Sequence, residues 1–304
     1  SHRRPRHTRN TPTMVRFVLC LLASASATML PRSGATPLLA LRGGAYPPPK
    51  AGYHALAAKG AAATKQAVPA NLLSGALAGG YVAFGGILSL SVASALGDVA
   101  PGVQKLVFGL LFPIALLNIV ATGSQLFTGN TASVAAALFE GLIEPMDLVR
   151  NWVVTYAGNL LGSLAFVWSF QYTGLLSGST AAMASKVTVA KCAGKMGPTI
   201  MKGIFANWLV CLAAYMATLE TDLAGKILGM WPCISGFVMM GFEHSVANLF
   251  LLPLGAAAGA EVSAMDMIIK NVVPVTIGNI LAGAVIFAGS YSYLYGSLGG
   301  HTKD

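Results

Sequence analysis

From residue 66 onward the chain runs as long apolar segments joined by short polar connections. Six such segments stand out, at about 72–96, 104–122 with a continuation at 131–142, 151–172, 199–219, 227–240 with a continuation at 249–260, and 271–294. Counting the continuations, each is long enough to cross the roughly 30 Å hydrocarbon core as a helix of about 20 residues. The second and fifth are interrupted near their middles, by Thr122-Gly-Ser-Gln-Leu-Phe-Thr-Gly-Asn130 and by Gly241-Phe-Glu-His-Ser-Val-Ala-Asn248. Unpaired backbone groups cannot face lipid, so both breaks are expected inside the bundle or along a cavity.

The pattern also repeats. Arg150-Asn-Trp-Val-Val-Thr-Tyr-Ala-Gly-Asn-Leu-Leu161 matches Lys270-Asn-Val-Val-Pro-Val-Thr-Ile-Gly-Asn-Ile-Leu281 at an offset of 120, and Asn130 and Asn248 of the two breaks lie 118 apart. Each half therefore holds three spans with the middle one broken. Three is odd, so the second half enters the membrane inverted relative to the first. The expected fold is all-α and integral to the membrane, with six transmembrane helices as two inverted three-helix repeats. Inverted halves with matching broken helices place a transport site at the midplane, between the breaks.

Composition agrees with lipid as the solvent. Of 304 residues, 55% are hydrophobic and only 10% charged, and the mean hydropathy is +0.68. Soluble domains carry about 25% charged residues. The 35 glycines suit close helix approach within a bundle. The net charge of +9 is unevenly placed: ten of the 19 basic residues and none of the ten acidic ones precede residue 66. The remainder is nearly neutral, so the basicity belongs to an N-terminal segment and does not mark a nucleic-acid surface. The four cysteines, Cys20, Cys192, Cys211 and Cys233, contain no CxxC and read as free thiols.

Residues 1–65 are expected to be a leader, disordered or removed, ahead of a transporter domain at 66–304. Met14 reads as the start. Arg16, the apolar run Phe17–Ala23 and the small residues that follow describe a signal peptide, and the acid-free Ala/Gly/Pro-rich stretch from Pro31 to Lys65 is transit-like. Together they resemble the two-part leaders of algae with complex plastids, which would place the protein in a plastid envelope. The alternative is a secretory signal with a disordered tail and a plasma-membrane location.

Candidate chemistry gathers at the breaks. Glu243 and His244 lie at membrane depth, where an ionisable side chain is functional by default. A carboxylate facing an anion path would repel it, so Glu243 is expected to bond freed backbone N–H groups. His244 is either a pore residue or a hydrogen-bonded core histidine. Thr128 sits in the other break, near a half-helix N-terminus that favours anions, and reads as a pore hydroxyl, a helix cap or both. Asn207, inside the fourth span, either donates to an anion or bonds between helices. Lys191 lies in the connection before that span. No cofactor or metal is expected, since the Glu-His pair has no second histidine nearby.

Ala121-Thr-Gly-Ser-Gln-Leu-Phe-Thr-Gly-Asn130 resembles the first signature of the formate–nitrite transporter family, and Gly241-Phe-Glu-His-Ser-Val-Ala-Asn-Leu-Phe250 is similar to its second. Asn207-Trp-Leu-Val-Cys-Leu-Ala213 looks like the family's fourth span. The resemblance covers roughly 70–295. It implies an aquaporin-like protomer, assembled as a homopentamer in the bilayer with one pore per protomer. It also implies transport of a small monovalent weak-acid anion, nitrite or formate, with or without protons. By position His244 matches the central pore histidine, Thr128 the loop threonine, Asn207 the pore asparagine and Lys191 the vestibule lysine. Phe112, Leu116, Leu126, Phe127, Val210 and Phe237 fall on constriction positions. Glu243, Gln125, Asn130 and Asn248 fall at the helix breaks, with Gln125 standing where the family has an acid. The chain is not read as an enzyme. A membrane-embedded enzyme would need convergent nucleophiles or ligands, and a channel for neutral solutes would need two Asn-Pro-Ala breaks.

Overall fold

The computed structural model describes residues 47–97 and 101–301, and the regular structure among them is helical. The signal-peptide features, with Cys20, and the transit-like stretch before residue 47 lie outside the described residues. The first repeat comprises α1 (Pro49–Thr64), α2 (Val68–Ser94), α3 (Pro101–Leu111), α4 (Ile114–Thr122), α5 (Phe127–Phe139) and α6 (Pro145–Tyr172). The second comprises α7 (Gly178–Cys192), α8 (Met196–Leu219), α9 (Leu223–Met239), α10 (Ser245–Ala257) and α11 (Ala264–Tyr295). Helices α2, α3–α4, α6, α8 and α11 are each long and apolar enough to span a bilayer, and α9 with α10 makes the sixth crossing in two short pieces. The α3–α4 junction is a turn at Phe112-Pro113, and Pro232 and Pro253 lie inside α9 and α10.

The repeats pack alike. Helix α2 lies along α6, and α8 along α11. Both contacts are made through small residues. A Cβ on Gly79 would collide with the Asn159 carbonyl, and one on Gly278 with the Ile200 carbonyl. In lipid, where apolar surface gains little by leaving solvent, such backbone-to-backbone approach is the main source of helix association. The outward faces are apolar, as Leu73, Leu77, Phe84 and Leu88 along α2 illustrate. Exposed Trp168 and Tyr172 end α6, and exposed Tyr293 lies near the end of α11. Those ends fall on opposite faces of the membrane, where aromatic rings sit at the headgroup level.

The boundary at residue 65 moves. Residues 50–64, grouped with the leader by their charge, form most of α1, which packs on α5 and α8 with Tyr53, Leu56 and Ala57 buried. Its partner in the second repeat is α7, which packs on α10 as α1 packs on α5. Lys191, expected in a connection, stands in the last turn of α7.

Candidate functional site

The two breaks share one construction. Helix α4 ends at Gly123 with φ 70°, and Gly241 follows α9 with φ 73°. Glycine reaches this left-handed backbone without a Cβ clash. The next amides turn back: Ser124 N–H donates to the Ile119 carbonyl and Phe242 N–H to the Phe237 carbonyl, closing each helix end. Three non-helical residues, the last of them (Leu126 and His244) extended, lead into α5 and α10.

One asparagine braces each break. Asn159 accepts from Phe127 N–H at 2.9 Å and donates to the carbonyls of Gly75 at 2.8 Å and Gln125 at 2.9 Å. Asn279 accepts from Ser245 N–H at 2.8 Å and donates to the carbonyls of Gly203 at 2.8 Å and Glu243 at 3.1 Å. Both are fully buried. They supply the partners that unwound backbone needs where water is excluded. Both belong to the repeated Gly-Asn pair, so the repeat itself was the signal that could have assigned them.

A second layer sits beside each brace. Asn130 Nδ2 donates to Gln125 Oε1 at 2.8 Å and to Asn151 Oδ1 at 3.0 Å. Asn248 Nδ2 donates to Glu243 Oε2 at 2.8 Å and to Asn271 Oδ1 at 2.6 Å. Glu243 Oε2 also accepts from Lys191 Nζ at 2.8 Å, with that lysine side chain only 16% exposed. Glu243 was expected to cap backbone N–H groups. Its side chain instead accepts from Lys191, Asn248 and Asn271, because the brace asparagine already serves the backbone.

The breaks meet where Thr128 Oγ1 lies 2.8 Å from His244 Nε2, both residues buried. His244 caps α10, its Nδ1 accepting the Ala247 N–H at 3.0 Å. A neutral ring pinned that way carries its proton on Nε2 and presents it to Thr128. Thr131 donates to the Thr128 carbonyl, and Asn207 Nδ2 donates to Thr131 Oγ1 at 2.9 Å and to the Asn279 carbonyl at 2.6 Å. The Asn207 amide nitrogen is thus spent between helices, while its Oδ1 is buried without a partner among the described residues.

Three cavities adjoin. A large one of about 400 Å³ is lined by Lys105, Lys186 and Lys191 and by Phe112, Phe237 and His244. A chamber of about 20 Å³ shares those last three residues with it. The chamber shares Leu116, Ile119 and Leu126 with a third cavity of about 110 Å³, which Gln125, Asn130 and Lys59 also line. Residues shared between neighbouring cavities are the walls between them. One wall is Phe112, Phe237 and His244, with the two phenyl rings edge to face at 6.2 Å and His244 stacked on Phe237 at 5.7 Å. The other is wholly aliphatic. Val210 lines the chamber alone. Phe127 lines none of these cavities: its ring packs edge-on against Trp152 and Tyr156. Ile119 takes part where Phe127 was expected, a distinction invisible in an unbroken apolar run. Lys59, grouped with the leader in sequence, also reaches a cavity wall.

Comparison with known proteins follows this geometry. Residues 50–293 match the model of a family described as formate/nitrite transporter. The chain is 38% identical over 238 residues to a probable formate transporter of Methanothermobacter thermautotrophicus, covering 72% of this chain and 86% of that one. It is 37% identical over 224 residues to the nitrite transporter NirC of Escherichia coli, covering 73% and 82%. A solved pentameric formate channel with formate bound superposes with a TM-score of 0.67 at 29% identity, covering 75% of this chain and 97% of that one.

Proposed function

Because the chain belongs to the formate/nitrite transporter family, we propose that each copy is a multi-pass membrane pore for a small monovalent weak-acid anion, formate or nitrite. The path runs through the large cavity, the aromatic wall, the chamber, the aliphatic wall and the third cavity. The observation that carries this reading is the placement of His244 in the wall between a lysine-lined cavity and an otherwise apolar chamber. Lys191 at one mouth and Lys59 at the other gather anions. A 20 Å³ chamber holds about one water, so the ion must shed its hydration shell. Taking a bare charge into such a site costs tens of kcal/mol on simple Born estimates. Protonating an anion whose acid has a pKa of about 4 costs roughly 4 kcal/mol at pH 7. The solute therefore crosses as the neutral acid. His244 Nε2–H and the Thr128 hydroxyl supply the polar contacts on the way, and Asn207 holds Thr131 and α11 around them.

The outward apolar faces are consistent with assembly beside identical copies, and we read the complex as a homopentamer, as in the solved formate channel. Plastid targeting by the residues before α1 is part of the same proposal. A fusion of residues 14–48 to a fluorescent protein should reach a plastid or the secretory route, and cytosolic fluorescence would remove that part.

The function is tested by proteoliposome uptake of formate, nitrite and bicarbonate, with and without a pH gradient. Uptake of formate and nitrite should accelerate when the outside is acid. His244→Phe should abolish it. If His244 donates only a hydrogen bond, His244→Asn retains gradient-driven uptake; if it donates a proton, Asn fails as Phe does. Unchanged flux in both variants, with the oligomer intact, would remove His244 from the path.

A further inference from the structure

The large cavity is out of proportion to the proposed solute. At about 400 Å³ it falls within the range of sites that enclose drug-sized organic ligands, whereas the opposite cavity has about 110 Å³. An ion as small as formate has no use for such a volume, and still less for its walls. These are apolar and aromatic, with Phe108, Met183, Val187 and Phe242 lining the cavity besides Phe112 and Phe237. The charges in it are cationic. Lys105 and Lys186 line it and make no ion pair among the described residues, and Lys191 adds a third ammonium. Glu243, the carboxylate beside it, is already held by Lys191, Asn248 and Asn271.

We propose that this cavity is a binding site for an amphipathic organic monocarboxylate whose carboxylate pairs with Lys105 and Lys186, whose apolar body fills the aromatic walls, and which plugs the pore from that side. The inference rests on the transport reading only for the word plug; the binding site stands on the cavity itself. The two lysines are on different helices, α3 and α7, and one carboxylate between them would neutralise charge from both, which a neutral head does not do. A body of aromatic size cannot follow the head of a small anion, because the chamber beyond admits about one water. The third cavity, smaller and with Lys59 as its one lining lysine among the described residues, should not bind the same molecule.

The probe is biphenyl-4-carboxylate, with its primary amide as the neutral control, titrated calorimetrically into the detergent-solubilised protein. The carboxylate should bind saturably and the amide at least tenfold more weakly. Lys105→Gln combined with Lys186→Gln should weaken the carboxylate about fivefold and leave the amide unchanged, since only the carboxylate pairs with the two ammonium groups. Met183→Trp, which fills the cavity, should weaken it more than tenfold. Equal binding of acid and amide, or indifference to both sets of substitutions, would mean partition into detergent and overturn the site. Formate uptake into proteoliposomes is measured in parallel with the carboxylate on one side at a time. Block from a single side supports the plug. Binding with undiminished uptake overturns the plug. Binding by a protein that moves no formate leaves the site standing and removes the transport reading.

Discussion

The two broken helices are built to one plan and finished differently. At an offset of 118, Gly123 pairs with Gly241, Asn130 with Asn248, Gln125 with Glu243, Leu126 with His244 and Ile119 with Phe237. The amide braces are the same, down to Asn159 and Asn279 each making three bonds to equivalent backbone groups. The first repeat then places Gln, Leu and Ile where the second places Glu, His and Phe. Amides alone evidently hold an unwound turn inside the bundle. The ionisable groups at the second break are therefore not required for folding it, which frees them for the path. Outside the breaks the pattern reverses. The first repeat has its buried carboxylate at the far end of α5, where Glu140 accepts from Tyr53, Ser292 and Ser297, and α10 ends at Ala258 instead.

The sharpest way to break this equivalence is to remove a brace. Asn159→Ala and Asn279→Ala should each leave one backbone N–H and the Gln125 or Glu243 carbonyl buried and unpaired, while the Gly75 and Gly203 carbonyls keep their partners inside α2 and α8, costing roughly 2–6 kcal/mol at about 1–3 per group. Denaturation of the purified protein in detergent should give similar losses for both. A loss at one break alone would mean that the repeats do not share the scaffold.

Next comes the ion pair that only the second break has. Lys191→Ala strands Glu243 in a buried site, and removing one partner of such a pair costs about 3–5 kcal/mol. Adding Glu243→Gln copies the first break and should restore stability to within about 1 kcal/mol of the parent, because replacing both charges leaves neither unpaired. Uptake by the double variant should stay low at low formate, and added salt should narrow its gap to the parent. Uptake equal to the parent at every concentration would show that Lys191 serves Glu243 and not the solute.

The smallest effect is at Glu140. Burial pushes its carboxyl pKa up, but hydrogen bonds from Ser297, Tyr53 and Ser292 outweigh that and hold it below the usual 4.5. A depressed folded pKa means the added stability is present above pH 4.5 and lost as pH falls through the lower folded value. Glu140→Gln should cost about 1.5–3 kcal/mol at neutral pH, the range for hydrogen bonds to a charged acceptor. The gap between parent and variant should close on acidification below pH 4.5. A gap independent of pH would assign the loss to shape and not to charge.

Much of the fold is legible in the chain. The apolar runs, their two interruptions and the repeated basic-Asn/Gly-Asn pattern define six crossings in two inverted halves, and the break sequences identify the family. Helix α1 is less visible. It buries Gly, Ala, Thr64 and a single Tyr and Leu pair, with Gly60 packed on the Ser133 backbone. Small residues packing on backbone leave no hydrophobic stripe, so its lysines made it look like leader. Periodicity is also silent on rotation within an apolar run, and so could not separate Phe127, which faces Trp152, from Ile119, which faces the chamber.

Sequence by itself determined the medium, the number of crossings, the breaks and the kinds of polar group placed in them, because solvation in lipid constrains composition residue by residue. Tertiary structure alone decided which groups meet. His244 and Thr128 lie 116 positions apart, and Lys191 and Glu243 lie 52 apart. The inversion of one half against the other brings His244 to Thr128, and the packing of α7 on α10 within the second repeat brings Lys191 to Glu243.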